Sequence, residues 1–416
     1  MTDKTMLSSR ALLNKYGSPL FVLDVLKLLM QFTKLNNAFK AVYRNTVVAY
    51  SFKTNYLPYI CKTLYKSGSK AEVIAGFEFE LAKKLGIPGK DIIVNGPYKP
   101  EDELFEMISY GCKINVDNLD ELKLINKIAK KIGKIVEIGI RINFNLTTIP
   151  WKKFGFDADN NDAYDAIKFV HTKLKNLKII GLHIHLGTNI IDPDVYKQAS
   201  LKTLSFINSL EKKLSVKIKY IDFGGGFPST GTIPINVNEK EWHVPSIEEY
   251  AKAICIPLNR YYKNRRKKPL LILEPGRYLV DESMYLLATV VAAKRINGIK
   301  SVFIDAGVNI LPSSYYRKHN IQTNKKGRKF LTDVYGPLCM QVDIIESGLL
   351  LPDLKKGDII KIPVVGAYEL SQSMQFTRTR PAVISINNKK VILIHRKETL
   401  ADIIACDNWD VINEEK

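Results

Sequence analysis

The 416 residues are 46% hydrophobic and 25% charged, which is more length than one domain usually takes and enough apolar material for a sizeable core. No run of eighteen apolar residues occurs, which argues against a spanning helix. The formal net charge is +20, but the cations are spread along the chain and only Arg265-Arg266-Lys267-Lys268 forms a tight run. A solvated basic surface is therefore expected, with no nucleic-acid and no membrane partner.

The N-terminal segment, broken by Lys15, Asp24 and Lys27, lacks the build of a secretion signal. Pro19–Leu23 reads as an early strand. From about residue 45 to 275, short apolar runs alternate with longer amphipathic ones. Strands are expected at Val47–Tyr50, Ala71–Ile74, Ile92–Asn95, Lys113–Val116, Val136–Asn143, Ile179–His185, Ile218–Phe223 and Leu270–Glu274, which are rich in β-branched residues and bounded by turn signals. The clearest helix between them is Asn118–Ile132, where Leu119, Leu122, Ile125, Ile128 and Ile132 recur at helical spacing behind an Asn cap. Eight strands separated by helices is the count for a (β/α)8 TIM barrel. From about Asp281 the character changes: Tyr285–Ala293, Ser301–Ile304, Val342–Ile345, Ile359–Pro363, Ala382–Ile386 and Val391–His395 read as strands without long helices between them. The expected organisation is an α/β barrel at 36–280 followed by an all-β domain, sandwich or barrel, at 281–416, to which residues 1–35 contribute. The five cysteines (Cys61, Cys112, Cys255, Cys339, Cys406) are odd in number and lack metal-ligand spacing, which suits a reduced cytoplasmic protein without a metal.

Unusual residues cluster at the strand ends. Ser51-Phe52-Lys53 follows the first strand, and Glu72 lies in the second with Glu78 beyond it. His185-Leu186-Gly187-Thr188 ends the sixth, Gly224-Gly225-Gly226 the seventh and Glu274-Pro275-Gly276-Arg277 the eighth. The C-terminal ends of barrel strands converge on one mouth, where this fold builds its active sites. A glycine run after the seventh strand is where such barrels commonly bind phosphate through backbone N–H groups. A lysine nucleophile, a phosphate cradle and an acid for a pyridine nitrogen are together the parts that pyridoxal 5'-phosphate requires.

Tyr50-Ser51-Phe52-Lys53-Thr54-Asn55, His185-Leu186-Gly187-Thr188, Asp222-Phe223-Gly224-Gly225-Gly226-Phe227-Pro228, Glu274-Pro275-Gly276-Arg277 and Gly336-Pro337-Leu338-Cys339 form five ordered motifs. They resemble those of the alanine-racemase-like, fold-type III family of pyridoxal-phosphate decarboxylases, which includes the ornithine, arginine and diaminopimelate enzymes; the diaminopimelate branch fits best. The resemblance runs from Tyr16-Gly17-Ser18-Pro19-Leu20 to Gly366-Ala367-Tyr368. It implies that Lys53 holds the cofactor as a Schiff base and that Glu274 pairs with the pyridine nitrogen. It further implies that His185 stacks on the ring, that Thr188, Gly224, Gly225 and Gly226 hold the phosphate, that Arg277 serves the phosphate or a substrate carboxylate, and that Tyr368 contacts the cofactor. Glu72 and Glu78 match acidic positions of the family, and Arg141 joins the same polar network. Cys339 matches the cysteine that delivers a proton after carbon dioxide leaves, a task suited to a thiol. In the family that cysteine reaches the partner's site, which implies a homodimer with shared active sites.

Glu274 and Cys339 favour decarboxylation over racemisation, where the family places an arginine at the pyridine nitrogen; retention of Lys53 and Cys339 speaks against a non-catalytic relative. The substrate end departs from the diaminopimelate pattern. Met340-Gln341 follow Cys339 where Glu-Ser is usual, and Leu311-Pro312 follow Asp305-Ala306-Gly307 where an Arg-Pro pair is usual. Arg317, Lys318 and His319 are the candidates to replace the missing groups, and Asp343 lies near Met340. The stretch Ser373–Phe376 with Arg380-Pro381 resembles relatives of secondary metabolism. The expected reaction is thus removal of the α-carboxylate from an amino acid or amino-acid conjugate, the latter on an acidic carrier protein or in a siderophore pathway. The alternatives are meso-diaminopimelate in lysine biosynthesis, or ornithine, lysine or arginine.

Overall fold

The computed structural model describes residues 4–146, 152–230, 244–388 and 390–409. The described chain divides into two compact units, one from the N-terminal residues through Leu28 together with Val280 onward, the other from Leu29 to Thr230 together with 244–279.

Helix α1 (Lys4–Tyr16), strand β1 (Leu20–Asp24) and helix α2 (Val25–Val42) come first. The alternating stretch follows: β2 (Thr46–Ser51), α3 (Pro58–Lys66), β3 (Lys70–Val73), α4 (Gly76–Lys84), β4 (Ile92–Val94), α5 (Glu101–Ser109), β5 (Lys113–Val116), α6 (Leu119–Ile132) and β6 (Val136–Asn143). It continues with a two-residue β7 (Phe156–Asp157), α7 (Asp162–Lys173), β8 (Leu177–Ile184), α8 (Pro193–Leu214), β9 (Tyr220–Asp222), α9 (Ile247–Tyr261) and β10 (Leu270–Leu273). Strands β2, β3, β4, β5, β6, β8, β9 and β10 pair in that order, all parallel, and β10 pairs back onto β2 to close an eight-stranded barrel. Each expected barrel strand is present within two residues at either end.

Helices on the outside and packed side chains within bury both faces of these short strands, so they read as apolar runs rather than alternations. Ala49, Ile93, Ile180, Tyr220 and Ile272 form one interior cluster. The Tyr220 ring fits only because Gly139 and Gly181 face it: a Cβ on Gly181 would lie 2.0 Å from the ring and one on Gly139 2.1 Å from its hydroxyl. Helix α6 begins where expected, with Asn118 Oδ1 accepting the Glu121 N–H at 2.9 Å, and ends at Gly133, whose φ of 66° is the left-handed cap that glycine adopts freely. Its buried stripe is Leu122, Ile125, Ile128 and Ala129; Leu119, the first residue of the expected apolar face, is exposed. The basic run lies beyond the end of α9 rather than within it, and Arg265 forms a two-oxygen ion pair with Glu211 at 2.7 and 2.6 Å.

After a short α10 (Arg277–Val280) come β11 (Met284–Ile296), β12 (Ile299–Ile304), β13 (Lys329–Tyr335), β14 (Ile344–Pro352), β15 (Ile359–Pro363), β16 (Ala382–Asn387), β17 (Lys390–His395) and α11 (Leu400–Ile403). They form a mixed sheet in the order β14-β13-β12-β11-β1-β16-β17, with β15 also on β11. The early strand β1 therefore sits mid-sheet, antiparallel to β11 and parallel to β16. Leu13, Leu20, Val22, Leu287, Ile359, Ala382 and Ile384 form a core around it. Strand β13 was not expected: of its seven residues only Thr332 and Val334 are buried, which leaves a faint apolar signal. The strand expected at Val342–Ile345 starts at Ile344, because the buried Asp343 carboxylate instead accepts the N–H groups of Val308 (2.8 Å) and Leu338 (2.7 Å). No helix among the described residues is long and apolar enough to cross a membrane.

Candidate active site

The barrel's C-terminal rim carries a continuous polar network. Lys53 lies in a single 3-10 turn (Phe52–Thr54) directly after β2, and its Nζ is 3.3 and 3.4 Å from the carboxylate oxygens of Glu72. Ser51 and Glu72 are register partners on β2 and β3, so the Ser51 hydroxyl donates to Glu72 Oε2. Asn95, one residue past β4, donates through Nδ2 to both Glu72 Oε1 (3.0 Å) and Glu274 Oε1 (2.7 Å). Its Oδ1 accepts from Asn115 (2.9 Å), whose own Oδ1 accepts the Tyr220 hydroxyl at 2.7 Å. Buried acids are thus held by neutral amides, which satisfies their lone pairs without a second cation at each.

Glu274 is the centre of this rim. His183 Nε2 is 3.4 Å from Glu274 Oε2, and one polar atom each from His183, Asp222 and Glu274 lie within 4.8 Å of one another, all three residues being buried. Register sets this up: β8 pairs β6 with His183 beside Arg141, and β9 pairs β8 with Asp222 beside His183. Burial opposes ionisation of Glu274, but His183, Asp222 and Lys53 outweigh it and hold this carboxyl below the usual carboxylate range. Asp222 moves the opposite way, raised by burial and by the Glu274 charge beside it. Two carboxyls this close in a dry site do not both ionise. Arg141, weakened as a cation by burial and supported by Asp117 at 3.4 Å, also feels the charges of Glu274 and Glu72. Glu78 stands apart from this set. Its carboxylate accepts the Ile74 N–H at 2.7 Å near the start of α4, and burial together with the Glu72 charge raises it to about 7.

The glycine run folds into a tight loop against the ring of His185. Gly224 (φ 61°) and Gly226 (φ 93°) hold left-handed conformations that disfavour any other residue. A Cβ would lie 2.6 Å from His185 Nδ1 at Gly224, 2.4 Å from the Glu274 carbonyl oxygen at Gly225 and 2.5 Å from the Gly187 carbonyl oxygen at Gly226. These are the three glycines expected to cradle the phosphate. Gly224 donates to Asp222 Oδ1 (2.9 Å) and Gly225 to His185 Nδ1 (3.2 Å), so two of the three serve the loop itself. Burial first, then the charges of Arg141 and Lys53, keep His185 neutral, and with Nδ1 accepting, its proton sits on Nε2. Thr188 is exposed beside this loop, and Arg277 is buried at the start of α10.

The remaining expected residues belong to the β unit. Cys339 is exposed, Met340 and Tyr368 are half-buried, and Tyr368 has a φ of 72°. Arg317 and His319 are not available to replace missing recognition groups. The Arg317 guanidinium is buried, 3.0 Å from Asp281 and 3.2 Å from Glu369, and also donates to the Val364 carbonyl. His319 Nε2 lies 3.2 Å from the Ser313 hydroxyl, and burial with the Arg317 charge lowers it to about 3. Lys318 is exposed. Asp343 is committed to two backbone N–H groups, as described above.

Among the members of the barrel network, Asn95, His183 and Asp222 are given no task by the motifs. Each carried a signal. Asn95 is a polar residue at the end of a barrel strand, His183 is two residues before His185 and so on the same side of the strand, and Asp222 opens the glycine motif.

A closed parallel barrel with a lysine on a carboxylate after its first strand, a glycine loop after its seventh and a buried acid after its eighth defines a pyridoxal-phosphate-dependent amino-acid decarboxylase, a lyase. A model of the pyridoxal binding domain of pyridoxal-dependent decarboxylases matches residues 29–281. The diaminopimelate decarboxylase of Methanocaldococcus jannaschii is 32% identical over 414 residues, 95% of this chain and 92% of its own; that of Aquifex aeolicus is 30% identical over 95% of this chain and 93% of its own. The crystal structure of the M. jannaschii enzyme with L-lysine superimposes with a TM-score of 0.88 at 31% identity, covering 96% of this chain and 94% of that one. The chain belongs to the fold-type III pyridoxal-phosphate decarboxylase family, in the neighbourhood of its diaminopimelate enzymes.

Proposed function

We propose that this enzyme removes one α-carboxylate of diaminopimelate, giving carbon dioxide and lysine. The observation that carries the reading is the extent of the likeness, which spans both compact units and therefore includes the β unit bearing Cys339 and Tyr368. It favours free diaminopimelate, first held as the alternative, over the carrier-linked or siderophore substrate suggested by Ser373–Phe376, for which the relatives offer no support.

Bound pyridoxal phosphate supplies an electron sink for the pair left when the Cα–carboxylate bond breaks. The residues of this chain fit that group: a lysine amine beside a carboxylate, a loop that only glycine can make, and a buried anion. Lys53 is assigned to hold it. Glu72, 3.3 Å away, takes or returns a proton at Nζ as the lysine changes partner. Glu274, held as an anion, would pair with the ring nitrogen and keep a proton there. Neutral His185 would present a flat face to the ring, and Gly226 N–H, Thr188 and Arg277 would receive the phosphate. Cys339 supplies the proton that takes the place of the lost carboxylate. A homodimer in which that cysteine serves the partner's barrel follows from the family and belongs to the same reading.

Carbon dioxide release measured over a panel of diaminopimelate, ornithine, lysine and arginine tests the proposal. Diaminopimelate alone is expected to react; release from ornithine or lysine without diaminopimelate would overturn the substrate. Lys53→Ala is expected to lose the visible absorbance of the purified enzyme, and retained absorbance that borohydride fixes to another lysine would remove Lys53 from its place.

A further inference from the structure

Beneath Glu274 lie two ionisable side chains to which the reaction assigns no task, His183 and Asp222. They are 2% and 0% exposed, on adjacent strands and in register with one another. Glu274 Oε1 accepts from the Asn95 amide at 2.7 Å, and His183 Nε2 lies 3.4 Å from Oε2 as an ion-pair contact without hydrogen-bond alignment. Asp222 is in turn anchored by the Gly224 N–H at 2.9 Å, so the glycine loop and the acid share one support.

We propose that Asp222 and His183 are positioning residues for Glu274, Asp222 acting in its carboxylic-acid form as a hydrogen-bond donor and His183 as the brace that fixes Oε2. This rests on the assignment of Glu274 to the pyridine nitrogen. Geometry carries the argument. Two carboxyl groups within 4.8 Å of each other and of one imidazole, closed off from water, are stable only if one keeps its proton. The acid that keeps it must be the one with fewer donors. Glu274 has the Asn95 amide and His183, and it also feels Lys53, whereas Asp222 has a single backbone N–H. The shifts of the two groups, Glu274 down and Asp222 up, run in that direction. The other charges that bear on the pair are Glu72 and, from β5, Lys113 on Asp222, and Lys53 on Glu274, with Arg141 acting on Glu274 from β6. Asp222 in acid form is thus the group that lets Glu274 remain an anion in a buried site.

The test compares Asp222→Asn, which keeps a donor but has no acid proton, with Asp222→Ala, and His183→Gln with His183→Phe, all as holoenzymes beside Glu274→Ala. At about pH 9, where Glu78 and Glu369 are ionised, the infrared difference between the wild type and Asp222→Asn is expected to show the carbonyl stretch of a protonated buried carboxyl, shifted in heavy water. Asp222→Ala and His183→Phe are expected to lose at least tenfold in kcat with KM within about twofold, and to move the pH at which the cofactor's absorbance changes. Asp222→Asn and His183→Gln recover most of that loss. If Asp222→Ala does not fold, the His183 pair and the infrared band decide. No carboxyl band in that difference, equal losses in Asn and Ala, or a stoichiometric metal ion retained by the wild type and lost from Asp222→Asn would overturn the proposal. If Glu274→Ala leaves the absorbance unaltered, the assignment of Glu274 falls instead. If Glu274→Ala alters it and the four other variants do not, only the inference falls.

Discussion

At the scale of single residues, this barrel mouth is a problem of keeping several carboxyl groups buried together. Neutral donors solve most of it: Ser51 and Asn95 on Glu72, Asn95 on Glu274, and a backbone N–H on Glu78. Glu78 has a single donor, and burial with the Glu72 charge raises it from 4.5 to about 7. The folded protein therefore holds this proton more tightly than the unfolded chain. Stability falls as pH rises from about 4.5 to about 7 and stays lower above that, by about 3 kcal/mol for the whole shift. A glutamine at this position can still accept the Ile74 N–H but has no charge to bury. Urea unfolding should therefore find Glu78→Gln about as stable as the wild type near pH 4.5 and more stable by up to about 3 kcal/mol near pH 8. A stability difference that does not change with pH would contradict this account.

At the scale of elements, β1 shows how a strand far from its sheet in sequence becomes its middle member. Leu20, Phe21, Val22 and Leu23 are all fully buried, the mark of a strand covered on both faces. Its backbone joins β11 on one edge to β16 on the other, so removing it opens two rows of hydrogen bonds and the core around Leu20 and Val22. Deleting residues 1–24 is expected to abolish the cooperative unfolding of the β unit and expose sticky strand edges. Calorimetry and solubility would show this; a deletion variant with an unchanged transition would mean that β1 is dispensable. In the barrel the same scale explains why polar residues recur at strand ends: laterally paired parallel strands bring Arg141, His183 and Asp222 side by side across three strands.

At the scale of the whole molecule, the proposed assembly gives the sharpest expectation. If Cys339 of one copy serves the barrel of another, Lys53→Ala and Cys339→Ala are each defective, yet mixed dimers contain one site with both residues intact. Mixing the two inactive proteins under conditions that allow subunit exchange should restore a measurable fraction of carbon dioxide release. No recovery, with exchange demonstrated by a tagged copy, would place Cys339 in its own chain's site.

Much of this was legible in the residues. Strand order and the barrel count followed from β-branched runs at regular spacing, because a strand buried on both faces must be apolar throughout. Lys53, Glu274 and the glycines stood out because polar and flexible residues at strand ends have no packing reason to be there. Strand β13, largely unburied and with Lys329, Thr332 and Asp333 interrupting its apolar residues, left only a faint trace, and the tasks of Arg317 and His319 could not be read, since a cation's partners are set by side chains up to about fifty residues away, Glu369 and Asp281 among them. The glycine loop makes the same point: its glycines could be found in the sequence, but that Gly224 and Gly225 turn their N–H groups onto Asp222 and His185 was decided by φ angles and by a neighbouring strand. What the sequence by itself determined was the set of elements and the chemistry available to them, because local pattern and residue type are local properties. Which carboxyl keeps its proton, which N–H is already donated and which arginine is consumed by a structural ion pair were decided only by the tertiary structure. Each depends on distances between strands that the chain visits far apart.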